Sequence, residues 1–178
     1  MEKDLTVLSM LVWDKYGTLA RISSLFSRKG HNINNLTASN TDKPDQTRIT
    51  ITVQGDETEI RLILAQCQKL EDVIDVSIMD TSVCVMREIV LIKIQAEGET
   101  RGRLLEVAQI YKASIVDLSL KTMIVELTGK PEKINAFVKI MEEDFNILEM
   151  CRTGSTAMVR NTNLEEIKWK NIMIMIVI

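Results

Sequence analysis

Asp14, Lys15, Tyr16, Gly17, Thr18, Leu19, Ala20, Arg21 and Ile22 stand where an apolar run gives way to a helical pattern, and no stretch of the chain is better suited to binding chemistry. Gly17 lacks a Cβ, so its backbone can take a left-handed turn or let a ligand approach closely. Thr18 is a candidate N-cap whose hydroxyl would serve the first orphan amides of the helix. Those amides lie at the positive end of the helix dipole. They suit a small anion such as an amino-acid carboxylate, in an interaction worth about 0.3–1 kcal/mol and more when partly buried. The same residues also make a capped strand-to-helix turn with no ligand, and from the residues alone that is the simpler reading.

Other chemistry finds few candidates. The single histidine, His31, has no cysteine at ligand spacing, which argues against a zinc site. The sequence contains no phosphate-binding loop, no dinucleotide fingerprint and no serine in a nucleophile elbow. Glu57 with Glu59, and Glu142, Glu143 and Asp144, read as solvated helix faces. Asn32, Asn34 and Asn35 read as a strand edge or turn, with Asn32 close to the Gly17 junction if the first two strands are neighbours. Arg152, Thr153 and Gly154 read as a strand end and its turn.

A net charge of −3 and 4% aromatic residues speak against nucleic acid, single-strand RNA platforms and anionic membrane surfaces. Cys67, Cys84 and Cys151 are far apart, odd in number and set in apolar runs, as expected of free thiols in a reducing, cytoplasmic setting. The start, Met1 to Asp4, is charged and leads into a strand-like run, so no secretion signal is expected.

The elements that would position the junction follow from hydrophobic period. Leu5 to Trp13 is a branched, nearly continuous apolar run, as in a buried strand. Leu19, Ile22, Leu25 and Phe26 share one helical face that stops at Gly30. His31 to Asn40 and Arg48 to Val53 read as strands, the first with Ile33 buried and the second alternating Ile49, Ile51 and Val53. Gly55 and Asp56 open a second helix, and Val73 to Met79 closes a βαββαβ unit whose sheet carries helices on one face only.

A second copy follows. Glu88 to Ala96, a helix over Arg103 to Tyr111, strands at Ser114 to Ser119 and Met123 to Thr128, a helix beginning at Pro131, and Asn146 to Cys151 repeat the order. Gly129 to Ile134 matches Gly55 to Ile60 in its glycine, its acidic first turn and its isoleucine. Gly98 and Gly102 form only a looser turn where Gly17 stands in the first copy. The fold class is α+β with two ferredoxin-like domains: 1–80, a connector at 81–86, 87–160, and a tail at 161–178. The tail ends in the apolar run Ile172 to Ile178. It is too short to span a bilayer and is expected to be buried in this protein or in a partner, or else to be an aggregation-prone end.

With these pieces placed, Asp14 to Ile22, Leu25 to Ile33 and Leu36 with Thr37 resemble the start of the small, regulatory subunit of acetohydroxyacid synthase, also called acetolactate synthase. Asp72 to Val76, Arg87 to Ile94, Ile115 to Asp117 and Arg152 to Gly154 extend the resemblance over roughly residues 3 to 160. It implies an N-terminal ACT domain that pairs with a second copy, binds a branched-chain amino acid where the two meet, and makes a separate catalytic subunit both more active and feedback-sensitive. The effector residues it implies are Asp14, Gly17, Thr18 and Leu19 on the loop, with Asn32 and Ile33 on the facing strand. Valine is the effector that the resemblance puts first. Thiamine diphosphate, magnesium and FAD are expected in the catalytic subunit and not in this chain. The family usually has asparagine where this chain has Asp14, and proline or a small residue in place of Tyr16. An ACT-type sensor acting on a different partner is the alternative reading, and a stand-alone enzyme on the same scaffold a more distant one.

Overall fold

Leu5–Trp13 forms the strand that its branched residues favour, and the computed structural model, which describes residues 5–160, builds two sheets outward from it and its counterpart. In β1 (Leu5–Trp13), Leu8, Met10 and Val12 are buried on the face that meets α1 (Thr18–Arg28). That helix docks Ile22, Leu25 and Phe26 against them. Burying each such side chain contributes about 1.5–3 kcal/mol, so this stripe holds the helix to the sheet. Leu19 departs from the expected face: it is 44% exposed, and Thr18 takes the buried position before Ile22. Starting the helix at Thr18 turns Leu19 toward solvent.

β2 (Ile33–Asn40), β3 (Gln46–Gln54), α2 (Glu57–Cys67) and β4 (Val73–Met79) complete the first domain, with strand order β2-β3-β1-β4. Asp56 caps α2 by accepting from Glu59 N at 2.8 Å, and the Glu59 carboxylate accepts from Asp56 N at 3.0 Å, a closed capping box. β2 has an extra residue at Asn34, where its register against β3 shifts. The bulge puts both Ile33 and Leu36 on the packed side, where they are partly buried.

The second domain repeats the order: β5 (Cys84–Gln95), α3 (Glu99–Tyr111), β6 (Ser114–Leu118), β7 (Thr122–Gly129), α4 (Pro131–Asp144) and β8 (Ile147–Arg152), arranged β6-β7-β5-β8. Ile60 and Ile134 are buried at matching places after Gly55 and Gly129. Three features differ from the sequence reading. Gly98, at φ +54, stands directly before α3, so the second junction also has a positive-φ glycine, and Gly102 lies within the helix. β5 begins at Cys84, inside the segment read as a connector. A short β9 (Thr156–Val159) pairs with that early half of β5.

The outer face of the first sheet is therefore not open. Val7 and Met79 from the first domain pack with Cys84, Met86 and Ala157 from the second. Between β4 and β5 runs a short turn, in which the Asp80 carboxylate accepts from Ser82 N at 2.9 Å and Val83 N donates to Asp80 O at 3.2 Å. Cys67 and Cys84 are buried as expected, but Cys151 is exposed on the edge strand β8. The tail, including Ile172 to Ile178, lies outside the described residues.

Candidate effector site

The β1–α1 turn is clamped at its entrance. Trp13 N donates to Asp72 O at 2.9 Å and Asp14 N to Asp45 O at 2.8 Å, fixing the strand end to both of its neighbours. Lys15 N then bonds Trp13 O, and Thr18 N bonds Lys15 O at 3.3 Å, closing a tight loop around Tyr16 and Gly17. Gly17 takes φ +82, a left-handed conformation that costs other residues about 1–2 kcal/mol. This glycine, and not Thr18, is the N-cap. No side chain caps the helix, so the amides that follow Thr18 N in its first turn lack the threonine hydroxyl expected there.

Thr18 is turned inward instead. Its hydroxyl donates to the Asp72 carboxylate at 3.2 Å, with Trp13 O a longer acceptor at 3.4 Å. Asp72, at the head of β4, is 5% exposed. It also accepts from the Arg21 guanidinium and lies 3.5 Å from Lys15 Nζ. The hydrogen bond from Arg21 is the main cause that holds the Asp72 carboxyl below the usual carboxylate range; Thr18 and the Lys15 charge add to it against the opposing effect of burial. Sequence reasoning missed Asp72 as a member of the site. A threonine opening a helix with Arg21 one turn on, and the acidic pair Glu71 and Asp72 at a strand start, was the available signal.

Between this turn and the sheet lies an open cleft of ≈ 690 Å³. The turn from Asp14 to Leu19 forms one wall; Val12, Ala38, Asn40, Thr47 and Ile49 form the floor. Uncapped amides at one end and the apolar part of the floor, Val12, Ala38 and Ile49, at the other suit a compact molecule with a carboxylate and an aliphatic side chain. Asp14 and Tyr16 stand exposed at the rim. A wider groove of ≈ 740 Å³ passes Arg21, Ser24 and Arg28 along α1, but no strand residue lines it.

Asn32 and Ile33 are elsewhere. β3 lies between β1 and β2, because the helix crossover leaves a gap that the β2–β3 hairpin fills. In register, Ile33 is level with Val53 and hence with Thr6, whereas Asn40 is level with Thr47 and Val12. Within one chain these two residues are at the far end of the sheet from Gly17, so the neighbour-strand expectation for Asn32 does not hold. Among the described residues, no group of three His, Cys, Asp or Glu side chains is placed to hold a metal ion, and no helix is long and apolar enough to cross a membrane.

Comparison with known proteins matches residues 8–75 to the AHAS small subunit-like ACT domain and residues 87–161 to the small subunit of acetolactate synthase. The chain is 41% identical over 153 residues to a probable acetolactate synthase small subunit of Archaeoglobus fulgidus, covering 86% of this chain and 95% of that one. It is 39% identical over 153 residues to the acetolactate synthase small subunit of Mycolicibacterium smegmatis, covering 86% and 89%. The crystal structure of the acetolactate synthase small subunit from Thermotoga maritima superposes with a TM-score of 0.83 at 32% identity, over 90% of this chain and 99% of that one.

Proposed function

Because the chain belongs to the family of acetolactate synthase small subunits, we propose that it binds a separate catalytic subunit, raises its activity and makes it subject to feedback by a branched-chain amino acid, valine foremost. In this reading it regulates valine, leucine and isoleucine biosynthesis in the cytoplasm. It performs no turnover itself, and thiamine diphosphate, magnesium and FAD reside in the catalytic subunit.

The observation that carries the effector part is the left-handed Gly17 turn, whose uncapped helix amides open on a cleft with an apolar floor. The effector carboxylate meets those amides, and its side chain lies toward Val12 and Ile49. A homodimer completes the site. β2 is a sheet edge, and antiparallel pairing of two such edges near their middle lays the partner subunit's Asn32 and Ile33 beside Asn40 and the cleft. This arrangement gives those two residues a role that one chain alone cannot.

The test is acetolactate formation from pyruvate by the catalytic subunit, with and without this chain, titrated with valine, leucine and isoleucine. Stimulation that valine reverses is the expected result. Turnover by the purified chain alone, or a catalytic subunit indifferent to it, would overturn the reading.

A further inference from the structure

The turn joining β8 to β9 touches both domains. Its own domain holds it at three of its four residues. The Arg152 guanidinium donates to one Glu88 oxygen at 2.5 and 2.7 Å and to Asn135 Oδ1 at 2.7 Å. Thr153 N donates to Ile89 O at 2.9 Å while its hydroxyl accepts from Ile89 N at 3.0 Å. Ser155 donates to the second Glu88 oxygen. Both Glu88 and Ser155 are buried, so the turn is pinned to β5 by charge-assisted bonds largely shielded from water.

Gly154 faces the other way, onto β2. A Cβ at this position would overlap Thr37 Oγ1 and Asn35 Oδ1 and stand 2.9 Å from the Leu36 carbonyl oxygen, so a larger residue displaces β2 or the turn. The Thr37 hydroxyl is buried there without a hydrogen-bond partner, a sign of how closely the two surfaces are pressed. The contact falls in the middle of β2. On one side of it lie Ala38 and Asn40, which line the cleft; on the other lie Asn32 and Ile33.

We propose that the Arg152–Ser155 turn is a positioning element for the effector site: through Gly154 the second domain fixes where β2 lies, and so sets effector response without touching the effector. The link to effector response rests on the regulatory reading above; the placement of β2 does not.

The test uses the full chain, alone and in the holoenzyme, with Gly154→Ala. Amide hydrogen exchange over residues 33–40 is expected to quicken by about tenfold or more in the chain alone. In the holoenzyme, the valine concentration for half-inhibition is expected to shift by about fivefold or more, with activity in the absence of valine unchanged. Adding Asn35→Ala and Thr37→Ala removes the two closest overlaps, leaving only the Leu36 carbonyl oxygen at 2.9 Å, and should bring both readouts back toward wild type. If Gly154→Ala does not fold, Arg152→Lys, which loosens the turn without enlarging it, should move both readouts in the same direction. Unchanged exchange over 33–40 overturns the proposal, and altered exchange with unaltered half-inhibition overturns its link to the site. A wild-type holoenzyme blind to valine removes the regulatory reading, while exchange in the chain alone still decides whether Gly154 sets β2.

Discussion

Arg21, one turn into α1, binds the carboxylate of Asp72 at the head of β4, so the helix end that carries the uncapped amides is anchored to the strand beside β1. Because the Asp72 carboxyl titrates below its usual range in the folded chain, its stabilising effect is full above about pH 4 and is lost as pH falls through the lowered folded value. Asp72→Asn should lower stability at neutral pH and flatten the acid limb. Denaturant midpoints measured from neutral to acid pH check this, and equal acid slopes in the two proteins would remove Asp72 as a cause.

Gly17→Asp should leave the fold standing and blunt valine inhibition by about tenfold or more. The left-handed backbone costs about 1–2 kcal/mol, and the nearest atom to a new Cβ is Arg21 Nη1 at 3.4 Å, so there is room for the side chain. The added charge then sits where an effector carboxylate should lie. Gly17→Asn is the control, with the same backbone demand and no charge. Equal half-inhibition concentrations for wild type and Gly17→Asp would refute the site.

Asp14→Asn should tighten valine binding, by less than about tenfold. The side chain is exposed, and exposed charge interactions contribute about 0.2–1 kcal/mol, whereas tenfold needs about 1.4 kcal/mol. Its carboxylate stands on the same loop as the amides proposed for the effector carboxylate, so removing it relieves repulsion. Calorimetric titration decides: weaker binding would assign Asp14 to the effector ammonium group, and a larger effect would mean that a partner subunit desolvates it.

A thiol titration of the native chain at mildly alkaline pH should find a single fast-reacting cysteine, Cys151. Burial pushes the Cys67 thiol up to about 11, and burial with the nearby Asp80 charge raises Cys84, so both stay protonated and shielded. Cys151→Ser should abolish the fast phase, and a persisting fast phase would place an accessible thiol elsewhere.

The repeat of two βαββαβ units is legible in the sequence because period is local: Ile22, Leu25 and Phe26 mark a helix, and Ile49, Ile51 and Val53 a strand, without reference to anything distant. What escapes such reading is set by distant residues. The Thr18 hydroxyl looks like a cap until Asp72, far along the chain, proves to hold it. Asn32 looks close to Gly17 until β3 is found between their strands. β9 is short and carries no clear alternation, and only its pairing with the early half of β5 makes it a strand. Gly98 could be told from Gly102 only by its φ.

The turn at Asp80 to Val83 bears on how the molecule comes apart. It is tied at both ends, by its own internal bonds and by Arg160 N, which donates to Val83 O at 2.9 Å, and the small cluster around Val7, Met79, Cys84 and Ala157 lies beside it. Loss of either sheet exposes that cluster and frees the turn, so neither domain can melt and leave its neighbour's surface intact. Two hydrophobic cores should then unfold as one thermodynamic unit. Scanning calorimetry should show a single peak, and two separated peaks would mean that the domains are energetically independent.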